Sequence, residues 1–303
     1  MASPQADAVK ALIKQFQSQV LGGEPTLESM RAGGEAMGHM TAEPAGVEYT
    51  AVDAGGVPAQ WVDMPGVDRH RVLLYVHGGG YVICSSNSHR KLAGHLGAAA
   101  GCRALAIDYR MAPEHPHPAP VNDALAAYRW LLAQGFSHDS IAIAGDSAGG
   151  GLTMATLVAI RDAGVPAPCA AVGMSPWVDL EGTGESMRTK AGVDLLIQRE
   201  ALQPMAAMFL AGQDPHTPLA APLYADLTGL PPVYLQVGGD ETLLDDSTRL
   251  ATRLAAAGNA VRLDVFPEMQ HVFQINAGNL PEADDAVSRT GAFLRTRFGR
   301  SIG

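Results

Sequence analysis

The chain has 303 residues, 47% hydrophobic and 17% charged, and carries a formal net charge of −10. Such a composition suits an ordered protein with a substantial core, and the length allows two average domains or one large α/β domain with a small cap. The negative balance, with Lys and Arg scattered rather than gathered on one stretch, argues against nucleic acid as a partner, and no apolar run reaches the roughly 20 residues that span a bilayer.

Residues Pro4 to Val20 place Val9, Leu12, Ile13, Phe16 and Val20 at three- and four-residue steps, which predicts an amphipathic helix with one buried face. A second short helix is predicted from Thr26 to Ala36, weakened near its end by Gly33-Gly34. Phe16 and the Met30, Met37, Met40 group read as packing against the surface these helices need, with a pocket wall as the alternative. Val47 to Val52 and Val57 to Met64, joined by Asp53-Ala54-Gly55-Gly56, predict an edge β-hairpin. Arg71 to Val76 is a nearly continuous apolar run, as in a strand covered on both faces, and it ends in His77-Gly78-Gly79-Gly80.

From there the pattern alternates: helix Ser88 to Ala100, strand Ala104 to Tyr109, helix Val121 to Ala133, strand Ile141 to Ala144, helix Gly151 to Ala163, strand Ala170 to Met174. Repeated βα units predict an α/β fold, a mostly parallel sheet with helices on both sides and ligands beyond the carboxyl ends of the strands. Trp177 to Thr217 breaks the alternation with a polar loop, Glu181 to Lys190, and a helix from Arg199 to Leu210, and reads as an insertion folded over the site. Strand Val233 to Val237, helix Asp246 to Ala257, strand Val261 to Phe266 and helix Glu282 to Phe298 then complete the sheet. The expected organisation is N-terminal cap helices over 1–45, core over 46–180, a cap insertion over 181–216 and core again over 217–303.

Cys84, Cys102 and Cys169 lie far apart, in regions read as strands or strand ends, without CxxC spacing, as in reduced, buried thiols of a cytoplasmic protein. Met1 to Gln19 is interrupted by Lys10 and Lys14 and lacks the layout of a secretory signal. No HExxH-like spacing and no Gly-x-Gly-x-x-Gly after a strand is present, so neither metal nor cofactor is expected.

The chemistry centres on Gly145-Asp146-Ser147-Ala148-Gly149-Gly150, where a buried strand runs into a serine flanked by glycines. That pattern suits a sharp strand-to-helix turn presenting Ser147 as a nucleophile, with the positive end of the following helix behind it. A serine nucleophile needs a base, an acid to orient the base, and donors for the oxyanion. Of the ten histidines, His271 is singled out because it follows the last strand at the carboxyl side. The acid should follow the preceding strand, where Asp240, Glu241, Asp245 and Asp246 stand. Asp245 and Asp246 are explained as helix N-terminal residues that satisfy free backbone donors, which leaves Asp240 and Glu241. Gly78, Gly79 and Ala148 are the candidate oxyanion donors.

His77-Gly78-Gly79-Gly80, the run Asp108 to Pro116 with Pro118 and Asp123, Gly145 to Gly150, and Ser175-Pro176-Trp177 together resemble the bacterial hormone-sensitive-lipase family of α/β-hydrolase esterases. The resemblance implies an eight-stranded sheet under a helical cap and a carboxylesterase acting on small-molecule esters with short acyl chains. The family's acid opens a pattern of acid, any residue, Leu, any residue, Asp, which Glu241-Thr242-Leu243-Leu244-Asp245 fits, so Glu241 is the choice and Asp240 the fallback. Tyr81, Leu195, Met208 and Val272 are candidates for the acyl and alcohol pockets, with core packing as the alternative for each. A homodimer on the last strand and helix is a family expectation. A non-catalytic small-molecule receptor on the same fold, or an amidase with the same triad, is the competing reading.

Overall fold

The structure is a computed structural model that describes residues 2–20 and 26–299. Its strands are β1 (Glu48–Asp53), β2 (Pro58–Asp63), β3 (Asp68–Val76), β4 (Cys102–Ile107), β5 (Ile141–Asp146), β6 (Ala170–Met174), β7 (Val233–Gly238) and β8 (Val261–Phe266). They form one sheet in the order β1-β2-β4-β3-β5-β6-β7-β8. The β1-β2 hairpin is antiparallel and meets β4 antiparallel, while every pairing from β4 through β3 to β8 is parallel. This is the α/β-hydrolase architecture.

The helices among the described residues are α1 (Pro4–Val20), α2 (Leu27–Ala36), α3 (Ser86–Ala100), α4 (Ala119–Ala133), α5 (Ala148–Asp162), α6 (Ser186–Thr189), α7 (Arg199–Leu210), α8 (Leu244–Ala256) and α9 (Pro281–Arg295). Strand alternation sorts them into two layers. Val72, Leu74 and Val76 of β3 pack with Tyr128 of α4, Leu152 of α5 and Leu250 of α8, whereas Leu73 and Tyr75 join Leu92 and Leu96 of α3 and Leu294 of α9 on the other face. Both faces are therefore covered, as the unbroken apolar run of β3 requires.

Several local readings differ. Leu12, expected on the buried face of α1, is 65% exposed; Ile13 is buried as expected and Val9 half-buried, Ala6 is buried as well, and the Phe16 and Val20 side chains lie outside the described residues. α1 rests on the sheet's end through Ala6, against Phe266, Met269 and Phe273, and through Ser3, whose N–H and hydroxyl bond Glu282 at 2.6 and 2.8 Å. α2 ends at Ala36 as expected, and a Cβ on Gly34 would come within 2.9 Å of the Cys84 nitrogen, so that glycine lets the Cys84 loop approach. Cys84 stands in a turn after β3 with φ 70°, not in a strand. α3 starts at Ser86, fixed by a capping box of Ser85 and Ser88, and the polar loop of the insertion holds the short helix α6.

Asp245 and Asp246 do sit in the first turn of α8, but their carboxylates do not cap it. Asp245 accepts the N–H of Ser186 at 2.8 Å, and Asp246 accepts those of Val178 and Asp179 at 2.8 and 2.9 Å, so both anchor the insertion between β6 and β7. Burial, helped by the charge of Asp179 and opposed by the two N–H donors, pushes the Asp246 carboxyl from 3.8 up to about 7. Between those values the folded protein keeps a proton that the unfolded chain has released, so stability falls as pH rises through the window and levels above it. Asp246→Asn removes that slope and leaves only a pH-independent offset. In urea melts from pH 4 to 8, wild type is expected to lose stability relative to the variant by up to about 1.4 kcal/mol per pH unit below pH 7; a difference constant with pH would refute it.

Candidate active site

The turn from β5 into α5 can only be made with glycine at two places. A Cβ on Gly145 would run into the carbonyl of Gly149, and one on Gly149 into the carbonyls of Val76 and His77. Ser147, at the apex, has φ 52° and ψ −123°, a backbone conformation that L side chains rarely adopt. The helix begins at once with Ala148, so Gly149 to Gly151 lie inside its first turn rather than before it. The N–H of Ala148 therefore has no intrahelical acceptor, and the helix's positive end lies beside the serine.

The loop after β3 is held by a buried network around Asp146. Its carboxylate accepts the Tyr75 hydroxyl at 2.6 Å and the Gly78 N–H at 3.1 Å, and its other oxygen lies 3.3 Å from His89 Nε2. Burial raises the Asp146 carboxyl, but the charge and contact of His89 and the Tyr75 donor outweigh it, and the net direction is down. His77 Nδ1 lies 2.7 Å from the Gly78 carbonyl, which can only accept, so Nδ1 carries the proton. Burial, and then the charge of His89, lowers the His77 pKa to about 4 and keeps the ring neutral. The Tyr109 ring stacks on it at 4.3 Å, and the Tyr109 hydroxyl holds the His77 carbonyl at 2.8 Å.

This corrects the expectation for Gly78: its N–H is engaged by Asp146 and cannot turn to a ligand without breaking a buried bond to a carboxylate. Because the Gly78 carbonyl faces His77, the N–H of Gly79, across the same trans peptide, points the opposite way. Among the described residues no acceptor takes the N–H of Gly79 or Gly80, and their φ values of 105° and 61° suit glycine. The free amides at this end are thus those of Gly79, Gly80 and Ala148.

His271 and Glu241 meet. Nδ1 of the imidazole donates to Glu241 Oε2 at 2.9 Å, both groups being buried. Glu241 Oε1 accepts the Ser175 hydroxyl at 2.7 Å and the N–H of Gly238, and Ser175 in turn accepts the Val272 N–H at 3.2 Å. Asp240 lies outside this network, 3.5 Å from Lys10 Nζ and 3.8 Å from Lys190 Nζ. Burial would lower the His271 pKa, but the hydrogen bond and charge of Glu241 overcome it, and the pKa is raised above 6.5. His271 Nε2 is buried without a hydrogen-bond partner among the described residues, and so is not bonded to the Ser147 hydroxyl here. Both are tied to the end of β6: the Ser147 N–H bonds the Met174 carbonyl at 2.8 Å, and Val272 bonds Ser175, the next residue. Bonds of this kind commonly tighten only when a ligand is bound.

Beside His271 lies a small cavity of about 20 Å³, lined by Val9 and Ile13 of α1, Leu196 of the insertion, Phe273 and Leu280 among others. None of Tyr81, Leu195, Met208 and Val272 is in its wall. Tyr81 is buried, stacked on Phe209 of α7 at 3.7 Å and 5°, and Val272 is in the core on the α3 and α9 side. Leu195 and Met208 are half-buried on the insertion. Among the described residues no three His, Cys, Asp or Glu side chains gather as a metal site, and no helix is long and apolar enough to cross a membrane.

Ser175 is the site residue that residue patterns did not single out by role. Its position directly after β6, between the strands carrying Ser147 and Glu241, was the available signal. In an NMR titration of the imidazole, Glu241→Gln should lower the His271 pKa and Asp240→Asn should move it far less; the reverse order would make Asp240 the partner.

A family model described as "alpha/beta hydrolase fold" matches residues 73–275. The chain is 44% identical over 303 residues to an acetyl-hydrolase of Streptomyces hygroscopicus, covering 100% of both chains. It is 36% identical over 288 residues to the putative acetyl-hydrolase LipR of Mycobacterium tuberculosis, covering 94% of this chain and 90% of the relative. Among solved structures, an esterase from the bacterial hormone-sensitive lipase family superposes with a TM-score of 0.94 at 47% identity, covering 99% of this chain and 100% of the other.

Proposed function

Since this chain belongs to the bacterial hormone-sensitive-lipase family of α/β-hydrolase esterases and is a serine ester hydrolase, we propose that Ser147, His271 and Glu241 form its catalytic triad. The observation that carries this assignment is the buried His271 Nδ1 to Glu241 Oε2 bond of 2.9 Å, which leaves Nε2 as a lone pair at the sheet end where Ser147 stands. In this reading Nε2 takes the Ser147 proton as the hydroxyl oxygen attacks the ester carbonyl, and Glu241 stabilises the resulting imidazolium. The imidazolium then returns the proton to the leaving alkoxide, giving the alcohol and an acyl-serine. Water repeats the sequence: Nε2 removes its proton, the acid departs, and the proton goes back to Ser147.

The amides of Gly79 and Ala148, with Gly80 replacing Gly78, are proposed to hold the oxyanion, each such donor being worth roughly 3 kcal/mol of barrier. The helices of 1–45 and the insertion of 181–216 would act as the cap. The acetyl-hydrolase names of two relatives and the confinement of Ser147, only 8% exposed, support a preference for short acyl groups.

Ser147→Ala should abolish hydrolysis of p-nitrophenyl acetate and labelling by a fluorophosphonate while keeping the cooperative melt of wild type; retained turnover would reject the nucleophile. Glu241→Gln should cost roughly a hundredfold or more in turnover. The base works as neutral imidazole, and its pKa is raised, so kcat/KM should fall as pH drops through a value above 6.5, and Glu241→Gln should carry that limb to lower pH. An acid limb below 6.5 in wild type would contradict the His271 to Glu241 pairing.

A further inference from the structure

One turn of the insertion, residues 193–197, is bonded both to the loop that bears Glu241 and to the loop that bears His271. Asp194, 3% exposed, accepts four hydrogen bonds. One oxygen takes the Thr242 N–H at 2.7 Å and its hydroxyl at 3.0 Å, and the other takes the N–H groups of Leu196 and Ile197 at 2.9 Å each. Thr242 is the residue after Glu241. The side-chain amide of Gln270, the residue before His271, spans the same turn, accepting the Leu195 N–H at 2.7 Å and donating to the Val193 carbonyl at 3.1 Å.

We infer that Asp194 is a positioning residue for the acid and base: through Thr242 and the Gln270 clamp it fixes the spacing of their loops, so that the Glu241 to His271 bond depends on the insertion being seated. The inference rests on the triad reading above. A carboxylate is the group this place requires, since donors converge on both its ends and an amide would set an NH2 against one pair of them. Leu196 of the same turn also lines the small cavity beside His271. Three carboxylates act on the His271 imidazole: Glu241, bonded to it, and, through their charge, Asp194 of the insertion and Asp146 at the end of β5, each raising its pKa.

The test compares Asp194→Asn, Asp194→Ala and Gln270→Ala with wild type, taking kcat per fluorophosphonate-labelled site so that only folded enzyme is counted. Asp194→Asn and Gln270→Ala should each lower kcat roughly tenfold to a hundredfold with a smaller change in KM. Asp194→Asn should also shift the acid limb of kcat/KM to lower pH. A lower melting temperature with kcat per site and pH limb unchanged would mean a structural role only, and would overturn the proposal. Should Asp194→Ala fail to fold, the other two variants decide. The His271 pKa read by NMR is independent of turnover: a fall in Asp194→Asn supports the inference and an unchanged value overturns it, even if an inert wild type had removed the esterase reading.

Discussion

The arrangement depends on one close backbone contact, the passage of the β5 to α5 turn against the end of β3. Gly149 meets the carbonyls of Val76 and His77 with no room for a methyl group, and Gly145 meets Gly149 in the same way. That contact sets the strained apex at Ser147 next to the loop beginning at His77. Asp146 then makes the approach specific, since its carboxylate holds the Gly78 amide from one side while His77 holds the Gly78 carbonyl from the other. With Gly78 clamped at both its N–H and its carbonyl, the next amides turn outward, and two segments 70 residues apart in sequence act as one rigid rim.

Much of the site is built from buried carboxylates, and their cost explains its remaining features. A carboxylate taken out of water is tolerated only when donors surround it. Asp146 has Tyr75, Gly78 and His89; Glu241 has Ser175, Gly238 and His271; Asp194 has Thr242, Leu196 and Ile197; Asp179 has Thr183 and Arg249. Where the donors fall short the charge gives way: Asp246 keeps one buried oxygen without a partner, and its carboxyl is pushed up to about 7. His271 shows the opposite balance, in which the bonded carboxylate of Glu241, with the charges of Asp194 and Asp146, outweighs full burial and raises the imidazole's pKa.

What could be read from the chain follows from how far each property reaches. Alternating β and α segments are local, and the strands and the helix Arg199 to Leu210 lie where hydrophobic spacing puts them. Ser147 was legible because the glycines around it serve a contact that only glycine allows, and Glu241 because the resemblance fixed its register. The errors concern side chains whose partners are distant. Period alone put Leu12 on a buried face, but the surface α1 meets is narrow and takes Ala6 and Ile13. Helix-start rules assigned Asp245 and Asp246 to their own helix, whereas their donors come from residues 178–186. Gly78 was misread because nothing local shows that its amide already faces Asp146. Ser175 and Asp194 carry no periodic or motif signal for what they bind, and only the assembled strand ends bring Glu241, Thr242 and Val272 to them.

The insertion is fastened to three loops at this end of the sheet. Phe209 stacks on Tyr81 and Met205 fills the space over Gly80; Asp194 and Ser186 bond Thr242, next to Glu241; Gln270, next to His271, clamps the turn of residues 193–197. Lifting it away would break buried hydrogen bonds to charged groups, each costing more than a typical neutral one. The seam between α1 and the insertion is held differently. There Lys10 and Lys190 meet Asp240 at 3.5 and 3.8 Å with side chains 23 to 32% exposed, contacts worth about 1 kcal/mol or less in such surroundings. The small cavity beside His271 has α1 on one wall and Leu196 on another. Energetics thus separates two kinds of attachment within the helical layer: buried, charge-assisted hydrogen bonds fasten the insertion to the loops it covers, and partly exposed ion pairs to Asp240 link it with α1.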